Sequence, residues 1–146
     1  MQFKKIMVSL GVLICLCVNF STAAYADTVS HSTDYGISVL YEIANSPYSK
    51  LNIVNGTAYC ISSVTGENAV SITVTQTLQK HWSLWIWTDV NGASWSKHVD
   101  DSSIRLSTTK SGLASGTYRL KSVFTLTNKS GKSETITIYS GEQKIS

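Results

Sequence analysis

Between Val70 and Ile138 apolar side chains recur at every second position, with Ser and Thr filling many of the alternate places. A two-residue period is that of a half-buried β-strand, and no stretch of helical length holds a 3.6-residue period. The clearest run points Val70, Ile72, Val74 and Leu78 one way and Ser71, Thr73, Thr75, Thr77 and Gln79 the other. Only Gln76 interrupts its apolar face. Upstream, Ile37, Val39, Tyr41 and Ile43 predict a first strand, or a short helix, broken by Asn45-Ser46-Pro47. Residues 50–64 predict a second run split in two by a turn or bulge at Asn55-Gly56. Thr65-Gly66-Glu67-Asn68 reads as the next turn. Further strands are expected over Trp82–Thr88, ended by Asn91-Gly92, over Trp95–Val99, and around Ile104, Leu106 and Thr108. Two more follow. Thr117–Thr127 aligns Tyr118, Leu120, Phe124 and Leu126, and Glu134–Ser140 turns Ile136 and Ile138 inward after the turn at Asn128-Lys129-Ser130-Gly131.

Seven or eight short strands joined by brief turns predict an all-β fold, a two-sheet antiparallel β-sandwich. Parallel pairing is excluded because the connections are too short for crossovers. An immunoglobulin-like order is the most economical. Cys60 then takes the core position of the second strand and Leu120 that of the penultimate one. Tyr118, two residues earlier and after a Gly-containing corner, resembles the tyrosine corner of Greek-key sandwiches. The departures are the missing disulfide and an aliphatic Ile72 or Val74 where antibody domains bury Trp.

Composition changes the picture at the N-terminus. Met1-Gln2-Phe3-Lys4-Lys5 is a short basic segment, Ile6 to Phe20 is apolar, and Ala24-Tyr25-Ala26 is a small-residue cleavage site. Residues 1–26 are therefore expected to be a secretion signal, residues 27–35 a loose N-terminus, and residues 36–146 the sandwich domain. The apolar run, ~15 residues, is short of the ~20 that span a bilayer as a helix. Cys15 and Cys17 would leave with the signal, and Cys60 alone cannot form an intramolecular disulfide. A buried core thiol is the expected role for it. Removing two lysines leaves 10 basic against 9 acidic residues in the mature chain, dispersed, with no footprint for nucleic acid or an anionic membrane. Ser and Thr make up 36 of the 120 mature residues, but they alternate with aliphatics as on the wet face of a sheet.

Candidate chemistry gathers on the aromatic segment. All four tryptophans lie between Trp82 and Trp95. Strand alternation puts Trp82, Leu84 and Ile86 on one face and Trp85 and Trp87 on the other, beside Ser83 and Asp89. Either Trp85 and Trp87 form an exposed platform for a sugar ring or a partner, or they are covered by residues 91–101 with Trp95 packed against them. The candidate ligand-binding residues are thus Trp85, Trp87 and Trp95. Asp89, Asp100 and Asp101 could approach a cation, yet no calcium-loop spacing is present, and solvated loop charges account for them better. No metal or other cofactor is expected. No G-x-S-x-G elbow occurs, Cys60 shares a strand face with Ala58, and the acids fall mostly at turns, so no enzyme activity is expected. Asn55-Gly56-Thr57 and Asn128-Lys129-Ser130 match glycosylation sequons and would mark exposed turns.

Several stretches recur together in a known group: Thr57-Ala58-Tyr59-Cys60, Thr77-Leu78-Gln79-Lys80 before the Trp-rich segment, Gly116-Thr117-Tyr118-Arg119-Leu120-Lys121, and Ser133-Glu134-Thr135 through Tyr139-Ser140. In this order the chain resembles small uncharacterised secreted proteins of Gram-positive bacteria, common in gut anaerobes, over roughly residues 50–140. The resemblance implies export and a β domain, and supplies no catalytic residue. The expectation is a secreted, noncatalytic binding or interaction module at the cell surface or in the medium, its partner a protein, a glycan or a membrane surface. The alternative is a small secreted toxin or bacteriocin-like factor acting on a membrane or receptor.

Overall fold

The computed structural model describes residues 41–146, and the expected signal segment and Ile37–Leu40 lie outside them. Eight strands follow in order: β1 Ala44–Val54, β2 Thr57–Gly66, β3 Ala69–Ser83, β4 Ile86–Val99, β5 Ser103–Lys110, β6 Gly116–Asn128, β7 Ser133–Tyr139 and β8 Gln143–Ile145. They pair antiparallel in two sheets, β1-β2-β5 and β4-β3-β6-β7, with β8 also on β6. Because β8 pairs with Gly116–Tyr118 and β7 with Lys121–Thr127 of the same strand, β8 continues the line of β7 after a short interruption. The result is an immunoglobulin-like sandwich whose fourth strand joins the third rather than the fifth.

Turn chemistry explains the first hairpin. Asn55 and Gly56 have φ of 48° and 69°, the two left-handed positions of a type I′ turn, between paired Val54 and Thr57. Two expectations near the start need correction. Asn45-Ser46-Pro47 does not break a strand; it forms a bulge inside β1, where pairing shifts between Asn45 and Tyr48. Val70 is exposed, because the ladder to β6 shifts between Ala69 and Ser71 and gives the core position to Ala69.

The interior has two apolar clusters with a polar layer between them. One joins Ile43, Val64, Ile72, Val74, Ile104, Phe124, Leu126, Ile136 and Ile138. The other joins Leu51, Ala58, Cys60, Leu78, Ala93, Tyr118 and Leu120. Cys60 and Leu120 thus meet across the sheets as expected, but the β3 residue beside them is Leu78 rather than Ile72 or Val74. Between the clusters Gln76, fully buried, donates Nε2 to Ser62 Oγ at 2.7 Å and to the Leu106 carbonyl at 3.0 Å. Its Oε1 accepts from Thr108 Oγ1 at 2.8 Å. Ser122 Oγ shares hydrogen bonds with Ser62 Oγ at 2.6 Å and Ser49 Oγ at 2.7 Å. Among the described residues no buried side-chain polar atom lacks a partner. The interruption that Gln76 makes in the apolar face is therefore a bonded layer spanning both sheets.

Two further ties close the sandwich. Tyr118 Oη donates to the Ala114 carbonyl at 2.7 Å, the bond that defines a tyrosine corner. Glu134 of β7 accepts three backbone N–H groups, those of Glu42, Ile43 and Ala44, at 3.0, 2.9 and 2.9 Å. Partial burial alone would raise its pKa; the three N–H donors and nearby Lys132 outweigh that and hold the carboxyl below the usual range.

Candidate functional site

β3 is 15 residues long and β4 is 14, against 10 for β2 and 8 for β5. The opposing sheet ends near Ala58, which pairs with Lys110, while β3 and β4 run on as a two-stranded arm. Nothing described packs over the end of that arm. Trp82, Leu84 and Trp85 are 72%, 73% and 80% exposed, and Ile86 is exposed as well. Trp82, Leu84 and Ile86, placed on one face by strand alternation, do not fill the core: they lie beyond the facing sheet.

Asn91-Gly92 is not the turn that the dipeptide suggests. The turn falls at Leu84-Trp85, and β4 runs uninterrupted from Ile86 to Val99, so residues 91–101 are mostly strand rather than a covering loop. Asn91-Gly92 sits in a bulge. Thr77 pairs with Ser94 and Gln79 with Asp89, leaving Val90, Asn91, Gly92 and Ala93 opposite Leu78 alone. Gly92 has φ of 65°, a left-handed position that glycine adopts at least cost. Three surplus residues, an odd number, reverse the alternation along β4. On one side of the bulge Trp95 packs against the Leu78 and Tyr118 cluster; on the other, Trp87 faces outward.

The three expected site residues are thereby separated. Trp85 is at the bare tip, Trp95 packs on the core, and Trp87 lies half-buried on the outer face of the sheet. There the Trp87 ring lies 5.1 Å from the His81 ring and 4.2 Å from Arg119 Cζ. Trp85 and Trp87 do not form a paired platform, and Trp82 and Leu84, rather than Trp87, accompany Trp85.

Backbone conformation sets the tip apart. Leu84 has φ of 49°, left-handed, which costs a branched residue energy that Gly or Asn avoids. His81 Nε2 donates to the Leu84 carbonyl at 2.6 Å and ties the turn to the arm. The same chain closes its other two-residue hairpin with Asn55-Gly56. Placing Leu, rather than Gly, at that left-handed position spends stability on apolar display.

The remaining candidates are dispersed. Asp89 accepts from Gln79 Nε2 at 2.8 Å, whereas Asp100 meets His98 at 3.1 Å near the other end of β4 and Asp101 bonds Ser102. The imagined cation cluster is thus split, and among the described residues no three His, Cys, Asp or Glu side chains converge. Cys60 is buried, and that burial pushes its pKa up to about 11 against the opposing influence of the neighbouring Thr108 hydroxyl, far from a reactive thiolate. A shallow depression of about 370 Å³ near Ser63, Thr65 and Arg105 lies on the three-stranded sheet, away from the arm.

No protein-family model and no curated protein matches the chain.

Proposed function

We propose that the protein is a secreted, noncatalytic binding module that docks through the apolar tip of the β3–β4 arm onto the lipid–water interface of a membrane. The observation that carries this reading is the left-handed Leu84 flanked by two indoles more than 70% exposed. Indoles suit that interface, with an apolar body for the acyl boundary and an N–H for the headgroups. The charge around the arm fits an anionic surface. Dispersed along the sequence, Lys80, Lys110, Arg119 and Lys144 gather near its base against Asp89 and Glu142, while toward the opposite end Glu42, Glu67, Asp100, Asp101 and Glu134 outnumber Lys97, Arg105, Lys129 and Lys132. A binding rather than catalytic role is supported by the unreactive placement of Cys60 and the dispersal of the carboxylates.

Trp82 and Trp85 offer on the order of 350 Å² for dehydration. Burying about half of that contributes ~4 kcal/mol at ~25 cal/mol per Å², a roughly thousandfold partition. The purified protein should co-sediment with phosphatidylglycerol vesicles with a blue-shifted tryptophan emission, and much less with phosphatidylcholine vesicles. Trp82→Ala with Trp85→Ala should weaken binding about a hundredfold. Unchanged binding by that variant, or none by the wild type, would sink the reading.

A further inference from the structure

The outer face of the β4-β3-β6-β7 sheet carries a second arrangement that does not depend on the tip. Arg119 stands between two rings, its Cζ 4.2 Å from the centroid of Trp87 and 4.1 Å from that of Tyr139. Its Nε donates to Gln79 Oε1 at 2.9 Å, and Gln79 Nε2 donates to Asp89 Oδ1 at 2.8 Å. Two aromatic contacts and one bonded edge hold the guanidinium in place. Among the described residues neither Nη has a hydrogen-bond or ion-pair partner. A cation held in one orientation with its fork unengaged is preorganised for bidentate contact with a carboxylate or phosphate.

The surroundings decide between those two. Asp89 is exposed and only its Oδ1 is engaged among the described residues, and Glu142 lies near enough to act electrostatically on Arg119. Lys121 and Thr77 occupy the neighbouring rung beside Tyr139. Asp89 Oδ2 suits hydroxyl donors and the two rings suit C–H groups, and a polyhydroxylated carboxylate supplies both where inorganic phosphate does not. A ligand with one carboxylate, several hydroxyls and an apolar C–H patch meets every group present.

We propose that Arg119, Trp87, Tyr139 and Asp89 form a subsite for an acidic saccharide of the uronic acid class. The uronate carboxylate takes the two Nη groups of Arg119, a sugar hydroxyl donates to Asp89 Oδ2, and the ring lies beside the indole of Trp87. The subsite is separate from the tip, so either can fail without the other.

The test is an NMR titration of the purified chain, following the Arg119 Nε–H and Trp87 indole N–H signals. The probes are a galacturonic acid trisaccharide, its methyl ester and inorganic phosphate. The acid trisaccharide should shift both signals saturably, at least tenfold more tightly than the ester or phosphate. Arg119→Lys keeps the charge, loses the fork, and should weaken uronate binding at least tenfold; Trp82→Ala with Trp85→Ala should leave it unchanged. Asp89→Asn, which keeps the aromatic stack, should weaken it at least threefold and carries the test if Arg119→Lys does not fold. Equal affinity for acid and ester, tighter binding of phosphate, or full affinity in either Arg119→Lys or Asp89→Asn overturns the assignment.

Discussion

Replacing Gln76 with Leu removes the centre of the polar layer at nearly constant volume. Three hydrogen bonds go, each with a net contribution of about 1 kcal/mol in a folded protein. Ser62 keeps Ser122 as a partner, and half-buried Thr108 can turn toward water, but the Leu106 carbonyl is left bare at a further cost of about 1 kcal/mol. Against this, a buried Leu contributes about 2 kcal/mol of apolar transfer. The net loss is about 2 kcal/mol, a fall in Tm of roughly 10 °C for a domain of this size. Gln76→Ala, which adds a cavity, should cost more. Adding Thr108→Val to Gln76→Leu should cost less than the sum of the two singles, because Thr108 has then already lost its partner. Thermal and urea melts by circular dichroism measure all three. A Gln76→Leu protein as stable as the wild type, or more so, would refute the claim that this layer contributes net stability.

Three further outcomes are expected. Glu134→Gln should be destabilised at neutral pH. A carboxyl whose folded pKa is depressed contributes stability above its unfolded pKa, ~4.3, and loses it as pH falls through the lower folded value. The Tm gap to wild type should therefore narrow below about pH 4; a gap constant from pH 7 to 2 contradicts the triple N–H clamp. Tyr118→Phe should cost about 1 kcal/mol in urea melts, and not more than about 1.5, since the exposed Ala114 carbonyl can rehydrate. Cys60 should resist a thiol reagent in native buffer and react on unfolding in urea; native labelling within minutes would contradict its burial.

The sandwich was legible because period-two alternation is a local signal that burial enforces on every strand. Asn55-Gly56 gave the first hairpin, and Tyr118 placed the corner. What failed is what a strand's own residues do not specify. Asn91-Gly92 carries a turn signal but sits in a bulge, and only the pairs on either side of Leu78 reveal it. Leu84-Trp85 carries no turn signal at all, so the arm's end was misplaced. The length of the facing sheet decides that Trp82 and Leu84 are bare, and the line of the arm alone does not state it. Gln76 was visible as an anomaly, but its partners Ser62, Leu106 and Thr108 come from two other strands, and Ser49 and Ser122, which extend the layer, come from two more. Arg119 was passed over because a lone arginine on a threonine-rich face gives no hint of the two rings that fold around it.

The bulge at residues 90–93 acts on the arm as a reading frame acts on a message. Inserting or deleting a single residue there would change the parity, so that the side now showing Trp87 and Asp89 would show Ile86 and Thr88 instead. Pairs of residues could be added without exchanging the sides. Because the ladder resumes at Ser94, the core beneath would keep its register in either case. One indel at Asn91-Gly92 would thus exchange what the arm offers to its surroundings while buried Ala93 and the ladder from Ser94 keep their places.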